Sequence, residues 1–179
     1  MEKDEFRRNA DDMIYLTICA IKGIVPEQKR VEKLDLPELF EVCQRHILTA
    51  CVAYALESAG IKYNSFTQAK EKAVRKNILL DTERRAILRR LEDEKIWYMP
   101  LKGALLHNWY PNLGMRQMSD NDILFDISRR DDVRNIMSDL GFRLKAEREV
   151  VDEYLKEPVY NFEMHGELFM EYQVGAMAD

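Results

Sequence analysis

Apolar residues recur at three- to four-residue spacing through the first hundred positions of the chain, and in short, denser runs afterwards. That change of period predicts helices first and a mixed helix–strand region second. A first helix is expected from Phe6 to Gly23, with Met13, Ile14, Leu16, Ile18 and Ile21 as its apolar positions and Gly23 as its stop. Val25-Pro26 marks a break. A second helix is expected from Leu36-Pro37 to Gly60, with Asp35 as N-cap and Pro37 in the first turn. Its apolar stripe, from Leu39 through Cys43, Ile47 and Cys51 to Leu56, is broad enough to pack on two sides. A long third helix covers about Ser65 to Glu94, with Ala73, Leu80, Ile87 and Leu91 on its buried face.

After Lys95 the pattern changes. Ile96 to Met99 is a short β-prone run, Ala104 to Tyr110 a short helix, and Ile123 to Ile127 a strand. Ser128 is the expected N-cap of a helix over Arg129–Leu140, which Gly141 ends. Phe142–Leu144, Val159–Met164 and Leu168–Tyr172 read as further strands, the last two joined by a turn at His165-Gly166. The expected fold class is α+β: a helical N-terminal half followed by a small mixed sheet with flanking helices. The expected division is a helical region over 1–95 packed on an α/β core over 96–179.

Composition narrows the picture little further. With 179 residues, 46% hydrophobic and 33% charged, the chain is a globular domain rather than a disordered one. The three cysteines, Cys19, Cys43 and Cys51, form no Cys-x-x-Cys pair, and three scattered histidines add no zinc pattern. Buried free thiols, a charged N-terminus and no long apolar run point to a cytoplasmic protein without a membrane span. Between Lys70 and Arg90 eight basic residues face three acidic ones, a balance that RNA binding could use. No aromatic residue interleaves with them, so a solvated helix face is the favoured reading.

Candidate chemistry lies between Pro100 and Asp126, and on the late strand. Asp120 and Asp122 lead into an apolar strand, and residues two apart on a strand share a face. Such a carboxylate pair can hold a divalent metal against phosphates. Lys102-Gly103 lies at a strand-to-helix turn, where a close backbone approach and a positive charge suit a phosphate. Arg116 and Ser119 precede Asp120 by four and one residues, within reach of a triphosphate, although Arg116 serves equally well as a structural ion-pair partner. Glu163 and His165 share one face of the late strand, where Glu163 could complete a three-carboxylate set or act as general base. Glu171 is the reserve carboxylate.

In this order the motifs resemble the uncharacterised bacterial nucleotidyltransferases of the polymerase-β-like superfamily. The resemblance rests on Leu101-Lys102-Gly103, Arg116-x-x-Ser119-Asp120-x-Asp122, the helix ending in Leu140-Gly141-Phe142, the stretch Glu153 to Pro158, and Phe162-Glu163-x-His165. It covers about residues 36 to 170. It implies that Asp120, Asp122 and Glu163 bind Mg²⁺ or Mn²⁺ and do the catalysis. It implies that Lys102, Gly103 and Arg116 handle the triphosphate, with Ser119 beside them. The implied reaction moves a nucleoside monophosphate from an NTP to an unknown acceptor hydroxyl.

The chain departs from the superfamily pattern at Gly103-Ala104, where the usual loop is Gly-Ser, and in a longer spacer to Asp120. Relatives also continue past the last strand, so the core is expected to be either a truncated piece or a naturally shortened form at its C-terminus. These departures motivate an alternative, a catalytically degenerate module of the same fold that binds nucleotide or a partner.

Overall fold

The computed structural model describes the backbone of residues 2–158 and 160–168, and side chains from residue 7 onward. Contacts divide the chain into two units, Met1–Asn77 with His107–Met118, and Ile78–Leu106 with Ser119–Asp179.

The first unit is helical. It contains α1 (Glu2–Lys22), α2 (Gln28–Val31), α3 (Leu36–Arg45), α4 (Thr49–Ser58) and the first part of the long α5 (Asn64–Asp93). Met13, Leu16, Leu39, Cys43, Val52, Leu56 and Phe66 form its buried core. The rings of Phe40 and Phe66 meet edge to face at 5.1 Å. Asp35 caps α3 as expected, its side chain accepting the Glu38 amide at 3.2 Å.

The single helix expected from Leu36 to Gly60 is two helices. Ile47 takes a left-handed backbone (φ 58°), and the Leu48 amide closes back on the Cys43 carbonyl at 2.9 Å. The start of α4 is then held by Gln117, whose Oε1 accepts from Thr49 Oγ1 at 3.0 Å and from the Ala50 amide at 3.1 Å. That cap comes from a residue 68 positions away from Thr49, so local pattern could not reveal it. All three cysteines are free and buried. Burial, with Cys51 adding to it, pushes the Cys43 thiol up to about 12, and burial pushes Cys51 up to about 11, so neither is a reactive thiolate.

The second unit carries the rest of α5 and a five-stranded sheet. Its elements are β1 (Tyr98–Pro100), α6 (Gly103–Leu106), β2 (Asn121–Phe125), α7 (Arg130–Asp139), β3 (Arg143–Glu147), β4 (Val151–Lys156) and β5 (Tyr160–His165). The strand order is β1-β2-β5-β4-β3, with β2 and β5 parallel and the other pairs antiparallel. The observed class is therefore α+β with a mixed sheet. Among the described residues no helix is long and apolar enough to cross a membrane.

Register sorts the sheet residues into two faces. Asn121, Ile123, Phe162, Met164, Asp152 and Tyr154 share one face and are all buried. Helices cover this face through charge as well as apolar packing. Buried Arg84 of α5 donates to Asn121 Oδ1, and Lys156 pairs with Glu83 of α5 at 2.8 Å. Arg130 and Arg134 of α7 both pair with Asp152, at 2.6 and 2.9 Å. The opposite face carries Asp122, Leu124, Glu163, His165, Val151 and Glu153.

Four sequence expectations change here. Strand β4 was not expected, because Val-Asp-Glu-Tyr-Leu-Lys is acidic; its carboxylates are buried only because arginines and lysines meet them on both faces. The strand before α7 runs Asn121–Phe125 rather than Ile123–Ile127, and Ile127 begins a 3₁₀ turn. Asp126, not Ser128, is the cap there, accepting from both the amide and the hydroxyl of Ser128. His165 ends β5 rather than opening a turn. The strand expected over 168–172, and Glu171 with it, lies outside the described residues apart from Leu168. Of the eight basic residues on α5, Lys70, Arg84 and Arg90 are tied to Glu57, Asp81 and Asp139. This engagement reduces the charge offered to a nucleic acid backbone.

Candidate functional site

Three parallel and antiparallel neighbours place Asp122 of β2, Glu163 of β5 and Glu153 of β4 in one row across the sheet. Directly opposite residues have Cβ atoms about 4.5–5.5 Å apart, so this is a line of carboxylates at close spacing. His165, two residues beyond Glu163 on the same face, turns its Nε2 towards the row. That nitrogen lies 3.0 Å from Asp122 Oδ1 and 3.6 Å from Glu163 Oε2. Ligand atoms of Asp122, Glu163 and His165 all lie within 4.8 Å of one another.

Lys102 closes the row at its β1 end. The Leu101 amide donates to the Asp122 carbonyl at 2.9 Å, which fixes the turn beside β2. Lys102 itself adopts a left-handed backbone (φ 45°), and its Nζ reaches Asp122 Oδ1 at 2.9 Å. Its side chain is 64% exposed whereas that of Asp122 is 5% exposed, so an exposed cation covers a buried anion. The helix after Gly103 has only four residues, so the anion attraction expected from its N-terminus is small.

At the far end, Glu153 is nearly buried and holds two half-exposed cations. Arg148 contacts its Oε1, and Lys145 contacts its Oε2 at 3.2 Å. Glu153 was not among the expected site residues. The alternation of Val151, Glu153 and Leu155 with Asp152, Tyr154 and Lys156 was its available signal.

The electrostatics separate the two central carboxylates. Burial alone would raise Asp122, but hydrogen bonds from His165 and Lys102 and their charges outweigh it and hold the carboxyl below its ordinary range. Burial raises Glu163, and the charges of Asp122 and Asp120 add to that, opposed by His165. The hydrogen bond to Asp122 raises Lys102 and keeps it protonated.

Asp120 lies one residue before β2 and is half-buried; its charge acts on Lys102 and Glu163, but it is outside the close three-residue cluster. Ser119 is exposed beside it. Arg116 belongs to the first unit, where its carbonyl accepts from Asn77 Nδ2 at 3.3 Å and its buried Nε has no partner among the described residues.

The donor set fits a divalent cation. Two carboxylates supply the oxygen ligands that Mg²⁺ and Mn²⁺ take, and the Lys102 ammonium at 2.9 Å shows that Asp122 is shaped to meet a positive charge. Asp122 and Glu163 would hold such an ion.

Residues 32–176 match a family described as uncharacterised nucleotidyltransferase. No curated protein and no solved structure matches the chain.

Proposed function

The chain belongs to this family of uncharacterised nucleotidyltransferases, and from that membership we propose that it moves a nucleoside monophosphate from an NTP to an acceptor hydroxyl. The hydroxyl oxygen attacks the α-phosphorus, the bond from that phosphorus to the bridging oxygen breaks, and pyrophosphate departs. The observation that carries this reading is the row formed by Asp122 and Glu163 on adjacent parallel strands, with Lys102 at its edge. On this reading the sheet is a polymerase-β-like core, and every residue given a role lies within 96–179.

A divalent ion held by Asp122 and Glu163, with Asp120 beside them, would neutralise charge on the triphosphate and on the departing pyrophosphate. Lys102 exchanges its carboxylate partner for phosphate oxygens, a move that its long flexible stem allows. Gly103 and Ser119 are the further phosphate-binding residues. Glu163, on the same face as Asp122 and directly opposite it, is also placed to take the hydroxyl proton. Positioning and fixed charge supply most of the rate.

The test is transfer of label from α-labelled NTPs, in the presence of Mg²⁺ or Mn²⁺, to a panel of hydroxyl acceptors. Asp122→Asn should lower transfer by about 10²-fold or more while circular dichroism stays unchanged. Transfer that survives the substitution contradicts the assignment.

A second reading is favoured by one observation. Ala104 is 4% exposed at the position where the superfamily has a serine, so no hydroxyl is available there. Tight NTP binding without transfer to any acceptor would support a binding module of the same fold.

A further inference from the structure

We propose that His165 is a direct nitrogen ligand of the metal, and that it makes this centre discriminate for Mn²⁺ over Mg²⁺. The inference rests on the reading of Asp122 and Glu163 as metal-binding residues, and it names the class of ion that the site takes.

The geometry argues first. In an octahedral ion with ligand bonds of about 2.1–2.2 Å, adjacent ligand atoms stand about 3.0–3.1 Å apart and opposite ones about 4.2–4.4 Å. Nε2 of His165 is 3.0 Å from Asp122 Oδ1 and 3.6 Å from Glu163 Oε2, and the three ligand atoms lie within 4.8 Å of one another. The 3.0 Å separation is that of adjacent ligands on one ion, and 3.6 Å lies between the adjacent and opposite values, so a small side-chain adjustment brings the histidine and both carboxylates onto one ion.

Rigidity argues second. Lys102 and His165 both contact Asp122 Oδ1, but they are built differently. The lysine side chain is 64% exposed on an adaptable stem, whereas the histidine side chain is 16% exposed and stands on β5 next to Glu163 in register with β2. Lys102 would give up Asp122 to a bound cation and turn to phosphate. The imidazole would stay where the sheet holds it, and the proton between its Nε2 and Asp122 Oδ1 would leave to solvent as the ion takes its place.

Ligand chemistry argues third. Mg²⁺ takes oxygen and keeps its waters, whereas imidazole nitrogen suits first-row transition ions. An oxygen–oxygen–nitrogen set therefore favours a first-row transition ion over Mg²⁺, and Mn²⁺ is the one that shares the preference of Mg²⁺ for carboxylates.

The experiment titrates Mn²⁺ alone, followed by electron paramagnetic resonance, into the full chain, Asp122→Ala and His165→Gln. Electron spin-echo modulation then detects nitrogen bound to the manganese. The expected result is Mn²⁺ binding that Asp122→Ala removes, with ¹⁴N modulation that His165→Gln abolishes. The same substitution should weaken Mn²⁺ binding about tenfold or more while changing Mg²⁺ competition by less than about twofold. Mn²⁺ that depends on Asp122 but shows no nitrogen modulation overturns the histidine ligand and leaves the carboxylate site standing. Nitrogen modulation that persists in His165→Gln overturns it too. Mn²⁺ binding indifferent to Asp122→Ala overturns both this inference and the reading beneath it. The wild-type spectrum decides the ligand even if a variant folds poorly.

Discussion

Nη1 of Arg84 donates a 2.8 Å hydrogen bond to Oδ1 of Asn121, joining α5 to the first residue of β2, one position before Asp122. Both side chains are buried, and Arg84 also pairs with Asp81 at 2.6 Å. The amide nitrogen of Asn121 has no partner among the described residues, so its oxygen bond is the one that anchors the side chain. Arg84→Met keeps the apolar stem but leaves that oxygen unpaired. A loss of about 1–3 kcal/mol is expected in urea denaturation, the cost of an unsatisfied buried acceptor.

Asp152 holds Arg130 and Arg134 together, and its side chain is 2% exposed. Asp152→Asn takes the paired carboxylate from Arg130 and leaves Arg134 with Glu147, and should cost up to about 3 kcal/mol. The sign of the pH effect follows. Burial would raise Asp152, but hydrogen bonds and charges from the two arginines hold it below its ordinary value of 3.8. Its contribution is therefore complete above that value and is lost as pH falls through the folded-state value. The melting temperature of the wild type should drop steeply below about pH 4. In Asp152→Asn this part of the slope should be missing.

Glu163 behaves in the opposite sense. Burial and the charges of Asp122 and Asp120 raise it above its ordinary 4.5, so its favourable contribution is present below that value and lost as pH rises through the folded-state value. The surroundings of Glu163 therefore disfavour its ionised form in the metal-free protein. Glu163→Gln should stabilise the metal-free protein by about 0.5–1 kcal/mol, the scale of single stabilising substitutions. The same change should weaken metal binding. Thermal melts with and without Mn²⁺ measure both effects, and a Gln variant that is less stable without metal would contradict this account.

Gly114 occupies a left-handed backbone (φ 84°), and a Cβ there would stand 2.8 Å from Val74 Cγ2 and 2.9 Å from the Val74 amide nitrogen. Backbone cannot yield as a side chain can. Gly114→Ala should therefore destabilise the helical unit by at least about 1 kcal/mol, read as a lower urea midpoint at unchanged slope.

The sequence shows some of this and hides the rest for physical reasons. Asp35 could be read as a cap because its partner amide, that of Glu38, is three residues away. The break at Ile47 could not, because the group that stabilises the new helix start is Gln117. Strand β4 was concealed by Asp152 and Glu153, whose burial depends on cations contributed by α7 and by the β3–β4 hairpin. The pairing of Glu163 with Asp122 needed the parallel register of β2 and β5, which no local spacing encodes, although the shared face of Glu163 and His165 was plain from period two. Asp120 and Asp122 looked like an equivalent pair in sequence. In the fold only Asp122 lies within the strand, and it is His165 that joins the close cluster.

The most direct test is calorimetric titration of ATP, GTP, CTP and UTP, with and without Mg²⁺ or Mn²⁺, into wild type and into the Asp120→Ala, Asp122→Ala double variant. The account predicts metal-dependent binding of at least one nucleotide to the wild type, and its loss in the folded double variant. Nucleotide binding that ignores the metal and both aspartates, or no binding to any of the four, would contradict it.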